Sequence, residues 1–573
     1  MGTISDKLMR IINTKEDIRQ ALISKGYDVP TSIPFKEYAK MILDLPCNAD
    51  SFPDIEGIVA RYSASGLTNE QMAANPVWVD KTGNGHDLQL KNFSWKGMSG
   101  IGGYVVDIDE WGTNSTAVYF ERNSIKITAT FKENASLGLL YHNIKLRQSC
   151  VLKVTGIPEG CDAFLDDRLG NRFYMSEDGV YEIIPSNFLA EALYLSIEKY
   201  PERWYGSKLT VEQLPLYPGA LVFDGVDDYG VCDNFPILTK EKGYTVVALR
   251  QWITYNPNAI SAIATNASDQ SFNGAFTFEN YNKGAEQTIS YGATQITLQY
   301  SKSPFSWQTT SKYNGVNIAN GNKDATNSLV LGRSYPQRNE FANFAIWELV
   351  FLDHDATEEE LTKIKDYFVK TYPWLFPDQA WTVTGKTNED EDRATIANIT
   401  GNGNDLVLSN FGFAEGSGYN EEGEYAGYLV TDGVDDKIIS SIFKMGNDWT
   451  VIGDWELINT GKNDNAGIVK FDSIVIYNYN SMLINIKNGR NILIPDQNTV
   501  NAICSDGRIY SKDWKESIYN EETESTSKNF LTIGYSGNAY TKIAFKNLAI
   551  YPTVLSREDC IKAYNYLQTL KAK

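Results

Sequence analysis

The sequence predicts a mainly β protein: two antiparallel β-sandwiches in tandem, the first carrying an inserted small β-sandwich domain, behind an N-terminal α-helical segment. Three observations predict it. Segments such as 288–300, TISYGATQITLQY, alternate apolar and polar residues, the period of a sheet with one wet face. The words LVFDGVDD at 221–228 return as LVTDGVDD at 429–436, 208 residues later (429 − 221). Further landmarks surround both words in the same order, which marks a duplicated unit.

A chain of 573 residues exceeds what one core can hold and predicts three or four domains. Hydrophobic content of 42% and aromatic content of 12% are those of a folded protein. A net charge of −20 argues against nucleic acid and anionic lipid as partners, since phosphates are repelled. No apolar run approaches the roughly 18–20 residues of a membrane span. MGTISDKLMR leads into a charged amphipathic helix and not into a secretory leader, so export is expected by lysis or a dedicated route. The six cysteines are scattered without a C-x-x-C pair; Cys150 and Cys161 are close enough in sequence to bridge, but free thiols are the expectation. Three isolated histidines leave no metal-ligand spacing.

The first element is the helix of residues 3–25. Ile4, Leu8, Ile11, Ile18 and Leu22 fall on one stripe with 4-3-7-4 spacing, a heptad with Lys15 in the vacant core position. Thr3 with Asp6 can cap its start, and Gly26 supplies the left-handed stop. Three heptads are marginal alone, so the helix needs cover from copies of itself or from a partner. A second helix, 34–45, starts on Pro34 and carries Phe35, Tyr38 and Ile42 on one face. Residues 1–50 are therefore expected to dock or oligomerise the chain.

The duplicated unit follows. TGNGHDLQLKNF at 82–93 matches TGNGNDLVLSNF at 400–411, with Gly and Phe ten residues apart in both (93 − 83; 411 − 401). After each DGVDD comes an aromatic strand, 244–253 and 449–458, then LVLGR at 329–333 or LTIGY at 531–535. Strands 345–351 and 544–550 lead into capped helices at 357–368 and 556–567, with the same 12-residue interval (357 − 345; 556 − 544).

Gly401 to Gly433 is 32 residues, whereas Gly83 to Gly225 is 142, so about 110 residues are inserted into the first copy (142 − 32). Strand-like words NSIKITATF, CVLKVTGIPEG, SEDGVYEII and SKLTVEQLP make the insert a β-domain. The expected boundaries are 1–50 for the helical segment, 51–112 and 217–375 for the first sandwich, 113–216 for the insert, and 376–573 for the second sandwich.

LVFDGVDDY, YTVVALRQWI, LVLGR and the closing TEEELTKIKDYF together resemble the laminin-G-like, concanavalin A-like lectin/glucanase fold, an antiparallel jelly roll. The pattern ISDKL…TKEDIRQALISKGYDVP…IPFKEYAKMI resembles helical segments of head- or tail-fibre proteins of bacteriophages, those of Bacteroidales and crAss-like phages in particular. The two resemblances together imply a virion fibre or decoration protein. In it, residues 1–45 meet other virion proteins, the chain forms a homo-oligomer with a trimer favoured, and the β-modules face host cell-surface glycans.

For chemistry, the resemblance implies three possibilities. Glycosidases of this fold need two carboxylates about 5–5.5 Å or 6.5–9.5 Å apart in one cleft. The nearest word, DIDEW at 107–111, lacks a flanking Glu in register, so the expectation is that the chain is not an enzyme. Laminin-G-like relatives often bind calcium, and Asp224, Asp227 and Asp228 with Asp432, Asp435 and Asp436 offer hard oxygens. The same D-G-V-D-D words also suit a turn, with Gly at positive φ and an Asp side chain closing it, and the turn reading is favoured. No cofactor is required, and calcium is the one candidate. Lectins of this architecture use loop aromatics, which points to Trp95, Trp307, Tyr335, Trp381, Tyr419 and Tyr540 as glycan candidates.

Overall fold

The computed structural model describes residues 52–572 apart from segments of which the longest are 109–117, 132–142, 268–276, 282–294, 301–324, 459–466 and 519–530. The docking stripe Ile4, Leu8, Ile11, Ile18 and Leu22 lies outside the described residues, as do Trp307 and Tyr335. The described chain is mainly antiparallel β, as the alternating pattern predicts.

The first sandwich pairs two sheets of six strands each. One runs Gln295–Tyr300, Thr245–Trp252, Asn343–Leu352, Leu221–Asp224, Gly100–Ile101, with Ile58–Ser63 also on Asn343–Leu352. The other runs Thr277–Tyr281, Ser261–Ala267, Ala325–Leu331, Tyr229–Cys232, Leu88–Lys91, Val77–Trp78. Between them lies a core that includes Tyr62, Trp78, Leu88, Phe223, Val246, Phe344 and Leu349.

The second sandwich repeats this plan with two eight-stranded sheets. Its central pair is Thr450–Leu457 against Ile543–Tyr551, equivalent to Thr245–Trp252 against Asn343–Leu352. Both pairs carry a β-bulge at the same place, between Leu249 and Arg250 in one and between Asp454 and Trp455 in the other (454 − 249 = 205; 450 − 245 = 205). A bulge shifts register and would reverse every later side chain, so its recurrence fixes the alignment of the copies.

The two central strands of the first copy are buried on both faces: Thr245–Trp252 is buried throughout, and Asn343–Leu352 is buried from Phe344 onward. The outer face of each central sheet needs cover, and helices supply it. Helix α1 (Glu358–Thr371) opens with a capping box between Thr357 and Glu360, and helix α2 (Arg557–Leu567) is capped by Ser556 on Asp559. Both bury one face in a shared core that joins Trp347 and Val350 of the first sandwich to Ala549 and Tyr551 of the second. Tyr551 donates to the Trp374 carbonyl at 2.9 Å, and Gln251 donates to Thr569 Oγ1 at 3.1 Å. The tandem units thus share a hydrophobic core.

Arg61 and Glu348 sit beneath α1. Arg61 Nε meets Glu348 Oε2 at 3.2 Å, Tyr372 donates to Glu348 Oε1 at 2.7 Å, and Phe52 and Tyr367 face the guanidinium at 4.1 and 5.0 Å. The corresponding position in the second copy is Asn547, also fully buried (547 − 544 = 348 − 345).

The insert is a sandwich of two five-stranded sheets. It begins earlier than expected: Asp107–Ile108 already pairs with Asn143–Lys145 inside the insert, ahead of the boundary at 113. Its last strand is Lys208–Gln213, and Leu216 and Tyr217 then bond back to Gly103 and Gly102 of the host. The two crossings lie side by side, so the host sheet is not interrupted.

Candidate functional site

The DGVDD word lies where strand Leu221–Asp224 turns into strand Tyr229–Cys232. Gly225 adopts φ +75°, and a Cβ there would stand 2.7 Å from Asn343 Cβ, so both conformation and space demand glycine. Asp224 Oδ1 accepts from the N–H groups of Val226 at 2.7 Å and Asp227 at 3.4 Å, an Asx-turn. Asp228 is fully buried; its Oδ2 accepts from Asp224 N–H at 3.0 Å and its Oδ1 from the Ser99 hydroxyl at 3.0 Å.

Ser99 belongs to a second loop, which follows strand Leu88–Lys91. That loop is docked on the turn by Asn92, whose side chain donates to the Asp227 carbonyl at 3.1 Å. Its far end is clamped by Asn69, which accepts from Ile101 N–H at 2.7 Å and donates to Ile101 O at 3.1 Å.

The second copy rebuilds the turn and the asparagine locks, but Asp436 Oδ1 lacks the close serine hydroxyl bond that Asp228 Oδ1 has. Asp432 Oδ1 accepts from Val434 and Asp435 N–H, Asp436 Oδ2 accepts from Asp432 N–H at 2.8 Å, and Gly433 has φ +76°. Asn410 donates to Asp435 O at 2.9 Å, and Asn388 clamps Tyr419 through both its amide groups. Ser417 Oγ accepts from Gly412 N–H at 2.8 Å, as Ser99 Oγ does from Ser94 N–H at 2.9 Å.

Both loops hold bulky residues in the left-handed region. Asn92 and Asn410 have φ of 67° and 71°, and Trp95 and Phe413 have φ of 54° and 50°. Asn tolerates that conformation, but an aromatic there is rare and costs about 1–2 kcal/mol. Trp95 is half-buried and stacks on Phe93 with centroids 4.9 Å apart; Phe413 is half-buried with the Arg393 guanidinium 5.0 Å from its ring. Asp227 and Asp435 are exposed, and Val226 and Val434 at the turn tips are each 71% exposed.

Burial pushes the Asp228 carboxyl up to about 7, helped by the charges of Asp224 and Asp227 and opposed by the Asp224 N–H and Ser99. Asp436 is pushed up to about 6 for the same first reason, with the Asp432 N–H and Ser417 opposing. The ligand oxygens of each triad lie within 4.8 Å of one another, close enough to share a cation. The fit to calcium is incomplete, however. Calcium takes six to eight oxygens, while both Asp228 oxygens and Asp224 Oδ1 already hold the turn together. The same bonding keeps Asp228 away from any substrate, so these turns do not form a catalytic carboxylate pair.

Two sequence-derived glycan candidates are corrected. Trp381 is fully buried in the second core with its indole N–H on Asn404 O, and Tyr419 is 3% exposed with its hydroxyl on Arg393 O. Both aromatics sit on the inner side of strands and are packing residues. Tyr540 is half-buried in the two-stranded ribbon Tyr535–Ser536 with Ala539–Tyr540. Trp95 remains at the loop. Asn69, Asn92, Ser99 and their counterparts were not singled out by sequence reasoning, although the repeated KNF and SNF words carry the Asn signal.

No protein-family model matches the chain, and no curated protein matches it. Several solved structures do. The receptor-binding domain of botulinum neurotoxin type G is 13% identical at TM-score 0.21, covering 33% of this chain; the chain spans 50% of that domain's length. Trypanosoma rangeli sialidase in complex with sialic acid is 8% identical at TM-score 0.22, covering 79% of this chain and 83% of the sialidase. The exoplasmic/lumenal domain of VIP36, in a Ca2+/Man3GlcNAc-bound form, is 9% identical at TM-score 0.17, covering 26% and 87%. At these scores the likenesses carry no argument about ligand or activity.

The expectation that the chain is not an enzyme is withdrawn, because sialidases stand among the similar structures.

Proposed function

We propose that the chain is a glycan-recognition protein of a bacteriophage virion, carrying in each sandwich one copy of the loop pair described above. The observation behind this reading is the retention, in both copies, of a strained, partly buried aromatic on a loop bonded to the turn that bears an exposed carboxylate: Trp95 on the loop that Asn92 ties to Asp227, and Phe413 on the loop that Asn410 ties to Asp435. Backbone strain held by three asparagine and serine locks is typical of ligand clamps. An aromatic face and hydrogen-bonding carboxylates are what a sugar ring with equatorial hydroxyls requires. Two sites on one body bind a repeating polysaccharide with raised effective concentration.

In this reading residues 1–45 attach the chain to other virion proteins and assemble copies, with a trimer favoured; the heptad of Ile4, Leu8, Ile11, Ile18 and Leu22 supports that part. Binding is common to a lectin and to a glycoside hydrolase, including a capsule depolymerase, and the assay must separate them.

The test is a screen of the full chain against bacterial surface polysaccharides, followed by calorimetry on each hit. Trp95→Ala with Phe413→Ala should lower affinity at least tenfold; because both rings also pack against the sandwich cores, the loss is read on a variant that a thermal melt shows to be folded. An unchanged affinity sinks the loop-pair site. Sustained release of reducing ends from a bound polysaccharide makes hydrolysis the function. Deleting residues 1–45 should turn an oligomer into a monomer in light scattering; an unchanged mass removes the assembly role.

A further inference from the structure

Cys504 ends strand Val500–Cys504 and stands opposite Thr450. Cys560 lies 56 residues on (560 − 504), in the first turn of α2, where its N–H bonds the Ser556 carbonyl at 2.8 Å. The chain entering α2 is pinned beside Cys504 by two residues. Thr450 Oγ1 stands 3.7 Å from Cys504 Sγ, donates to Thr553 O at 2.9 Å and accepts from Leu555 N–H at 2.9 Å. Arg508 donates to Leu555 O at 3.0 Å. The thiols are thereby brought within hydrogen-bonding reach of each other and are both free. They are 2% and 0% exposed, in the core shared by the two sandwiches.

We propose that Cys504 and Cys560 form a reversible disulfide that fastens α2, and with it the joint between the sandwiches, to the second sandwich. The chemistry favours an ordered exchange. The hydrogen bond from Cys560 holds the Cys504 thiol below its ordinary pKa, with Arg508 also favouring the thiolate, while the Cys560 thiol is pushed up. Arg508 and the N-terminal end of the 11-residue helix α2 both place positive potential at this point. Cys504 thiolate attacks one sulfur of a small-molecule disulfide such as oxidised glutathione. The first glutathione thiolate leaves and takes up from solvent the proton that Cys504 released on ionising. Cys560 then loses its proton and attacks Cys504 Sγ of the mixed disulfide, expelling the second glutathione. Two electrons and two protons pass from the protein dithiol to one oxidised glutathione, giving two reduced glutathiones.

Because both thiols are buried, exchange requires the first turn of α2 to lift, so the reaction is slow on the native protein. The closed loop of 504–560 then restricts the unfolded chain and raises stability.

The full chain is incubated with oxidised glutathione, alkylated after denaturation, and mapped by peptide mass. The expected result is a Cys504–Cys560 linked peptide, a rise in melting temperature of roughly 5 °C or more, and reversal of both by dithiothreitol. Cys504→Ala or Cys560→Ala should remove the rise. Alkylation of both cysteines to the level of the reduced control overturns the proposal, as does a link to any of the other four cysteines in place of this one. If the alanine variants fail to fold, the wild-type peptide map and its reversal decide the matter alone.

Discussion

The side chain of Asn92 donates to the backbone carbonyl of Asp227, 3.1 Å away and 135 residues along the chain. Asn410 does the same to Asp435 at 2.9 Å in the second sandwich, where only 25 residues separate them. The contact is unchanged by the insert that lies between the first pair. It recurs in both copies of the sandwich, and it locks the aromatic loop to the acidic turn.

Replacing Asn92 by Ala removes that bond and leaves an alanine at φ 67°. The expected cost is about 2 kcal/mol from the lost hydrogen bond and left-handed strain together. Asn92→Gly restores the conformation and should cost about 1 kcal/mol, the hydrogen bond alone. Denaturant unfolding of the two variants checks the difference; equal losses would assign the whole effect to the bond.

The buried aspartates give the loop locks a pH dependence of known sign. Asp228 titrates at about 7 in the fold and at roughly 3.9 when unfolded, so it binds its proton more tightly in the native state. Its contribution is fully present below about pH 4 and is lost as pH rises through about 7; for Asp436 the upper limit is about 6. Asp228→Asn cannot ionise, and its amide can still accept from Asp224 N–H. The melting temperature of the variant relative to wild type should therefore climb between pH 4 and pH 7. A flat difference would mean that Asp228 is ionised throughout.

Glu348 is fully buried against Arg61, and burial raises its pKa while Arg61 lowers it. Glu348→Ala leaves a buried guanidinium without its carboxylate and should cost about 3–5 kcal/mol. The double change Arg61→Met with Glu348→Leu should recover most of that, because well-packed apolar groups replace such pairs at little loss. A double variant no better than the single one would assign the interaction a net stabilising role.

Calcium should raise the melting temperature little, by roughly 1 °C or less at millimolar concentration, since a weakly bound ion shifts stability only by its mass action. Asp224→Ala should destabilise the fold with or without calcium, because Oδ1 holds the Val226 and Asp227 amides. A large calcium-dependent rise that vanishes in Asp224→Ala would make the turn a metal site.

Much of the fold was legible in the residues because repetition is a property of sequence. The strands 244–253 and 449–458, the capped helices, and the insert between Gly83 and Gly225 all emerge from matched words and intervals. Local chemistry also sufficed for DGVDD: a glycine that must adopt positive φ and an aspartate that closes its own turn need no distant partner.

The candidate site was less legible, since each of its contacts spans loops far apart in the chain. Asn92 with Asp227 and Ser99 with Asp228 meet only when the two sheets close. Burial had the same non-local origin: nothing in the words around Trp381 and Tyr419 tells an inner strand position from a loop platform, and only packing put both in the core. The cysteines make the point most simply. Nearness in sequence marks Cys150 and Cys161 as a pair that could bridge, with free thiols expected, and both are free; strand pairing and the return of α2 onto the sheet bring Cys504 and Cys560 together. Sequence determined which units exist and how often, because that is written in periodicity and turn chemistry. Tertiary structure decided which polar and reactive groups meet, because those meetings depend on how distant strands and helices pack.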